Sequence, residues 1–89
     1  MVSDKIKNAV SMAKRTIEDG DNDRAREFVQ DALTDRNLGT DALFKLAQVF
    51  VQLGSEDDLR TVLKRLRDAQ PDLPNLVARG RVLRMLDDP

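Results

Sequence analysis

No cysteine, histidine, tryptophan or tyrosine occurs in the 89 residues. Without cysteine there is no disulfide and no thiolate nucleophile. Without histidine the commonest zinc ligand and the usual general base near neutral pH are missing too. No nucleophile–base constellation remains, so the sequence predicts a non-catalytic protein with no cofactor and no metal site. The aromatics are three phenylalanines, and none falls within the basic run from Lys64 to Arg84 to stack bases beside it. Neither sign of charge dominates: 15 basic against 16 acidic side chains give a formal net charge of −1. No strong field draws such a chain to nucleic acid or to an anionic membrane. No apolar run approaches the length of a membrane span, and the opening MVSDKIKNAVSMAKRT lacks the apolar core of a secretion signal. The expectation is a cytoplasmic protein with neither nucleic acid nor membrane as partner.

Helical periodicity is what the chain has in quantity. Charged residues make up 35% and hydrophobic residues 40%, the balance of an all-α domain, and the length suits one domain rather than two. The clearest stretch runs from Thr40 to Pro71. Leu43, Leu46, Ala47, Phe50 and Val51 recur at helical spacing before Gly54, and Leu59, Val62, Leu63 and Leu66 recur after it. Each half reads as an amphipathic helix, the two folded back on each other at the glycine. A weaker copy lies 34 residues upstream, with Ala13, Ile17, Gly20, Asp23, Arg26, Val29 and Ala32 preceding Ala47, Val51, Gly54, Asp57, Arg60, Leu63 and Leu66. A helical hairpin repeated at fixed period marks a stacked array.

In chain order, Ser3 or Asp4 caps a first helix with an inner stripe of Ile6, Ala9, Val10, Ala13 and Ile17, stopped by Gly20. Asp21 or Asn22 caps a second, running to about Asp35, with Ala25, Phe28, Val29, Ala32 and Leu33 inward. After the turn Asn37-Leu38-Gly39, Thr40 or Asp41 caps the third. Ser55 caps the fourth, with Asp57 and Asp58 in its first turn, and this helix closes before Pro71. Pro74 fits the first turn of a fifth, which runs to about Leu86 and carries Leu76, Val77, Leu83 and Leu86. The short connections make neighbouring helices antiparallel.

Position by position, this pattern resembles the tetratricopeptide repeat family, whose unit is a 34-residue helix-turn-helix. With units at residues 6–39 and 40–73, the small slot of the first helix holds Ala13 and Ala47, and the large slot three further on holds Thr16 and Phe50. The hairpin glycine is Gly20 and Gly54. In the second helix the small slots hold Ala25 and Ala32 in one unit but Leu59 and Leu66 in the other; the proline slot holds Asn37 and Pro71. With one residue deleted, Leu76, Gly80 and Leu83 fit the first helix of a partial third unit, leaving residues 74–86 as a capping helix. The family's Trp and Tyr are absent. The resemblance implies an all-α, right-handed solenoid of antiparallel hairpins, about five helices in all.

It also implies a use. In the family the first helix of each unit lines a concave groove that takes a peptide or a partner helix. By position the lining here is Lys7, Val10, Lys14, Ile17 and Glu18 from the first unit, and Asp41, Phe44, Gln48, Val51 and Gln52 from the second. The partial third unit adds Val77, Arg81 and Arg84. The groove then has an apolar floor (Val10, Phe44, Val51) and basic edges, suited to a protein or peptide partner with apolar anchors and acidic residues. Phe44 is the candidate anchor contact, with ordinary core packing as its competing role. The implied activity is that of an adaptor, scaffold or chaperone-like subunit. The alternative is a self-associating unit, or a fragment of a longer array, because an end helix with Leu76, Val77, Leu83 and Leu86 leaves one side uncovered.

Other motifs carry less. The alternating acids Asp19, Asp21 and Asp23 suggest a calcium loop, but Arg24 and Gln30 stand where such a loop requires glycine and a bidentate glutamate. The Ser11–Lys14 spacing of a penicillin-recognising enzyme has no companion motifs. Asp57 and Asp58 read as helix-cap charges. Lys64, Arg65, Arg67, Arg79, Arg81 and Arg84 read as a solvated basic face.

Overall fold

A computed structural model describes residues 4–87. These form five α-helices: α1 (Asp4–Glu18), α2 (Asn22–Leu33), α3 (Thr40–Leu53), α4 (Glu56–Asp68) and α5 (Leu73–Asp87), with no strand among the described residues. No helix among them is long and apolar enough to cross a membrane. The proposed cap Ser3 lies outside the described residues.

The two hairpin turns are built alike. Gly20 and Gly54 both take positive φ (84° and 66°), where a side chain would crowd the backbone. Past each, an amide reaches back to a helix carbonyl: Asp21 N–H to Thr16 O at 2.9 Å, and Ser55 N–H to Phe50 O at 3.0 Å. These are Schellman closures, in which the residue after the glycine satisfies an orphan carbonyl of the last turn. All three positions in the second turn are the first turn's plus 34, so the repeat extends to its backbone hydrogen bonds.

Capping follows the sequence with two shifts. Asp21 accepts the Arg24 amide at 3.2 Å, which gives this acid its role in the would-be calcium loop. α3 begins at Thr40 itself, so its N-cap is Gly39, with no side-chain cap bond. Ser55 holds the N-cap position of α4, but its hydroxyl donates to the Asp58 carboxylate instead of accepting a backbone amide. Asp58 also accepts from Gln30 of α2 at 3.1 Å. Its role is to join two helices. At the head of α5, Asp72 accepts the Asn75 amide at 2.9 Å.

Consecutive helices pack on each other, and α3 touches both α1 and α5. The odd-numbered helices therefore form one layer and α2 and α4 a second. The Cα extents, 37 × 31 × 16 Å, agree: the short axis is what two helix layers about 10 Å apart require. Ile6, Ala13, Val29, Leu46, Ala47, Val49, Phe50, Val62, Leu66 and Val82 fill the space between, all within 2% of complete burial. Small residues sit where α1, α2 and α3 approach, with Ala13, Ala25, Ala32 and Ala47 all buried.

One position of the expected inner stripes is corrected. Val51 is 42% exposed, and Val49 takes the inner place. On α5 the residues that face inward are Asn75, Ala78 and Val82, with Met85 and Leu86 partly buried, whereas Leu76, Val77 and Leu83 face out. The basic run from Lys64 to Arg84 is not uniformly solvated either. Half-buried Arg65 donates to the carbonyls of Leu33 and Asp35 at the end of α2. Half-buried Arg79 donates to Leu66 O (3.2 Å) and Arg67 O (3.3 Å) at the end of α4. Neither of these helix ends has a glycine closure. A guanidinium from a neighbouring helix supplies the missing donors, and its charge suits the negative end of the helix dipole.

Candidate functional site

The first two turns of α3 and of α5 lie side by side, and the side chains between them leave a hollow. Helical spacing sets its two walls. Leu73, Val77 and Arg81 recur every four residues along α5, while Asp41 and Phe44 lie one turn apart on α3. Together with Thr40, Pro74 and Ala78 they line a volume of about 370 Å³. Beyond the Phe44 ring a second hollow of about 250 Å³ is lined by Phe44, Arg81, Arg84 and Met85. Phe44 and Arg81 line both.

These two residues also interact. The Arg81 guanidinium carbon lies 5.5 Å from the centroid of the Phe44 ring, inside the range for attraction between a cation and the ring face. Phe44 is half-buried, packed against the core on one side and open to the hollows on the other. Among the described residues the one ion pair is Glu56 with Arg60, at 3.8 Å. No described carboxylate is within ion-pair distance of Arg81 or Arg84. Asp41, at the other end of the larger hollow, is not paired with Arg81. The site is thus an apolar trough, with Leu73 and Val77 75% and 48% exposed, and at one end two guanidinium groups that no described carboxylate pairs with. Such a site can hold an aliphatic or aromatic side chain against Phe44 and pair a carboxylate with Arg81 or Arg84.

Of the expected groove residues, this brings together Asp41, Phe44, Val77, Arg81 and Arg84. Lys7, Val10, Lys14 and Ile17 share one face of α1; Gln48, Val51 and Gln52 continue the Phe44 face of α3. All are exposed or half-buried, but none lines either hollow. Leu73, Pro74 and Met85 line the site without having been expected there. The four-residue spacing of Leu73, Val77 and Arg81 was the available signal, and it lies in a helix whose periodicity is unusually weak. A similar pairing of Arg24 with Phe28, 5.9 Å apart, borders a third hollow at the hairpin end of α1 and α2. No aliphatic wall faces that one; its lining is largely polar and charged.

Compared with models of known protein families, with curated proteins and with solved structures, the chain matches none.

Proposed function

We propose that this chain is a non-catalytic protein-interaction module, a short tetratricopeptide-like stack that holds an extended peptide or helix against α3 and α5. The arrangement of odd helices in one layer, and the two hairpin turns repeated at a spacing of 34, support the solenoid reading. One observation carries the functional reading. Arg81 lies over a half-open Phe44 between two hollows, and no described carboxylate pairs with it. An exposed apolar trough, with cations at its edge that no described carboxylate pairs with, suits a ligand with an apolar anchor followed by acidic residues. The role is that of an adaptor, scaffold or chaperone-like subunit working in the cytoplasm.

The test is selection from a displayed library of short random peptides, followed by fluorescence anisotropy on the enriched sequences. Acidic-apolar peptides should emerge, and Phe44→Ala and Arg81→Glu should each weaken them about ten-fold or more. Binding left unchanged by both substitutions would refute the assignment. A second reading, self-association, is favoured by the exposed Leu73, Leu76, Val77 and Leu83 of α5. Light scattering across a range of concentrations checks it: a constant monomer mass excludes it.

A further inference from the structure

α5 is apolar on two opposite sides. Asn75, Ala78, Val82 and Met85 form the stripe packed on α3 and α4, at spacings of three, four and three residues. Leu73, Leu76, Gly80 and Leu83 follow the same kind of spacing half a turn away, where Leu73, Leu76 and Leu83 are 75%, 49% and 39% exposed. A helix apolar on all sides belongs in an interior. At the middle of the outer stripe a Cβ on Gly80 would meet nothing within 4 Å, so another backbone can approach closely there. In both complete hairpins the first helix is covered by a second one, α1 by α2 and α3 by α4. Among the described residues no helix covers α5 in the same way.

Charge indicates what kind of helix would cover it. The C-terminal half of α5 carries Arg79, Arg81 and Arg84, while Asp87 is its one acid among the described residues. Arg79 is engaged at the end of α4; no described carboxylate pairs with Arg81 or Arg84. A helix antiparallel to α5, as in the hairpins, sets its own N-terminal turns beside these arginines. The second helix of the complete unit has that character, with Glu56, Asp57 and Asp58 in the first turn of α4. A second copy fits less well, because its own α5, laid antiparallel, has no acid in its first turn to meet these arginines.

We propose that the outer face of α5, Leu73, Leu76, Gly80 and Leu83 with Arg84 at its edge, is an acceptor for one amphipathic helix from a partner protein. That helix runs antiparallel to α5, with leucine-like residues on its inner face and acidic residues in its first turns. Leu73 and Arg84 also border the Phe44 hollows, but Leu76, Gly80 and Leu83 line neither, and the proposal does not depend on Phe44.

The probe is a synthetic helical peptide, capped at both ends, with leucines at the stripe spacing and glutamates in its first two turns; a twin carries lysines in place of the glutamates. Fluorescence anisotropy with the full chain should show the glutamate peptide binding about ten-fold or more tighter than its twin. Leu76→Asp with Leu83→Asp should abolish that binding while leaving the circular dichroism spectrum unchanged. Arg84→Glu should weaken the glutamate peptide and strengthen the lysine one, and Phe44→Ala should leave both alone. If the double variant loses helicity, Leu76→Asp alone, at a half-exposed position, serves the same purpose. Equal affinity for the two peptides, or binding by neither, overturns the proposal. So does loss of binding through Phe44→Ala, which would put the peptide in the α3–α5 hollows. Sedimentation of the chain alone supplies the last outcome: a dimer dissolved by the double variant means that a second copy covers the face, and the proposal fails.

Discussion

Arg65 joins the two hairpins at one point, and its removal should be costly for a residue that sequence alone places on a charged surface. Its guanidinium, carried on α4, donates through both terminal nitrogens to the carbonyls of Leu33 and Asp35. Those groups end α2, which has no glycine closure and no basic residue of its own in its last turn. A hydrogen bond to a charged group contributes about 1.5–3 kcal/mol, and a cation at a helix C-terminus adds up to about 1 kcal/mol more near a surface. Arg65 is half-buried and Thr34 beside it is exposed, so water replaces part of what is lost. Arg65→Ala should therefore cost about 2–3 kcal/mol. Arg65→Lys should cost about 1–2 kcal/mol, because one ammonium cannot reproduce the two-pronged donation. The internal control is Arg60→Ala, which removes an exposed ion pair and should cost no more than about 0.5 kcal/mol. Urea unfolding followed by circular dichroism measures all three, and a change in midpoint at constant m-value isolates the stability term. In a domain of this size, 2 kcal/mol corresponds to a fall in Tm of roughly 8–16 °C. An Arg65→Ala protein within about 0.5 kcal/mol of the parent would refute the reasoning.

Three further outcomes are expected. Gly54→Ala should destabilise by about 1–2 kcal/mol through its positive φ alone, since the added methyl meets no neighbour; thermal unfolding checks this, and Gly39→Ala, at negative φ, should show no such loss. Phe50→Ala, at a fully buried position, should cost about 3–5 kcal/mol, and Phe44→Ala distinctly less because part of its surface is already open; equal losses in urea would make Phe44 a core residue. Asn75 is completely buried and its amide donates to Leu66 O at 3.0 Å, so Asn75→Ala should cost about 1–3 kcal/mol, read as a lower denaturation midpoint.

The helices were legible because each is amphipathic enough to declare its own inner face. In α4, Leu59, Val62, Leu63 and Leu66 are all buried as the 3.6-residue period requires, and in α2 Ala25, Val29, Ala32 and Leu33 are buried with Phe28 at the margin. The glycine turns were legible for an equally local reason, since a residue at positive φ after a helical stripe is most cheaply glycine. Polar groups that act across helices were not. Nothing in the neighbourhood of Arg65 or Arg79 distinguishes it from Lys64 or Arg67. What sets the first two apart is the helix end that each can reach, and that depends on where another helix stops. The candidate site was partly legible for the same reason. Phe44, Arg81 and Arg84 could be placed on one surface by counting, but the interaction of Arg81 with the Phe44 ring depends on how closely α3 and α5 approach.

The sequence by itself determined the number of helices, the two glycine hairpins and their period, because hydrophobic spacing and backbone strain are local properties. It also determined that histidine and cysteine chemistry is absent. Only the tertiary structure decided which side of α5 faces inward. That helix carries apolar residues on both sides, and its own periodicity favours neither. Its neighbours made the choice: α3 and α4 accept the smaller set of Asn75, Ala78 and Val82 at close range, which leaves Leu73, Leu76 and Leu83 on the outside.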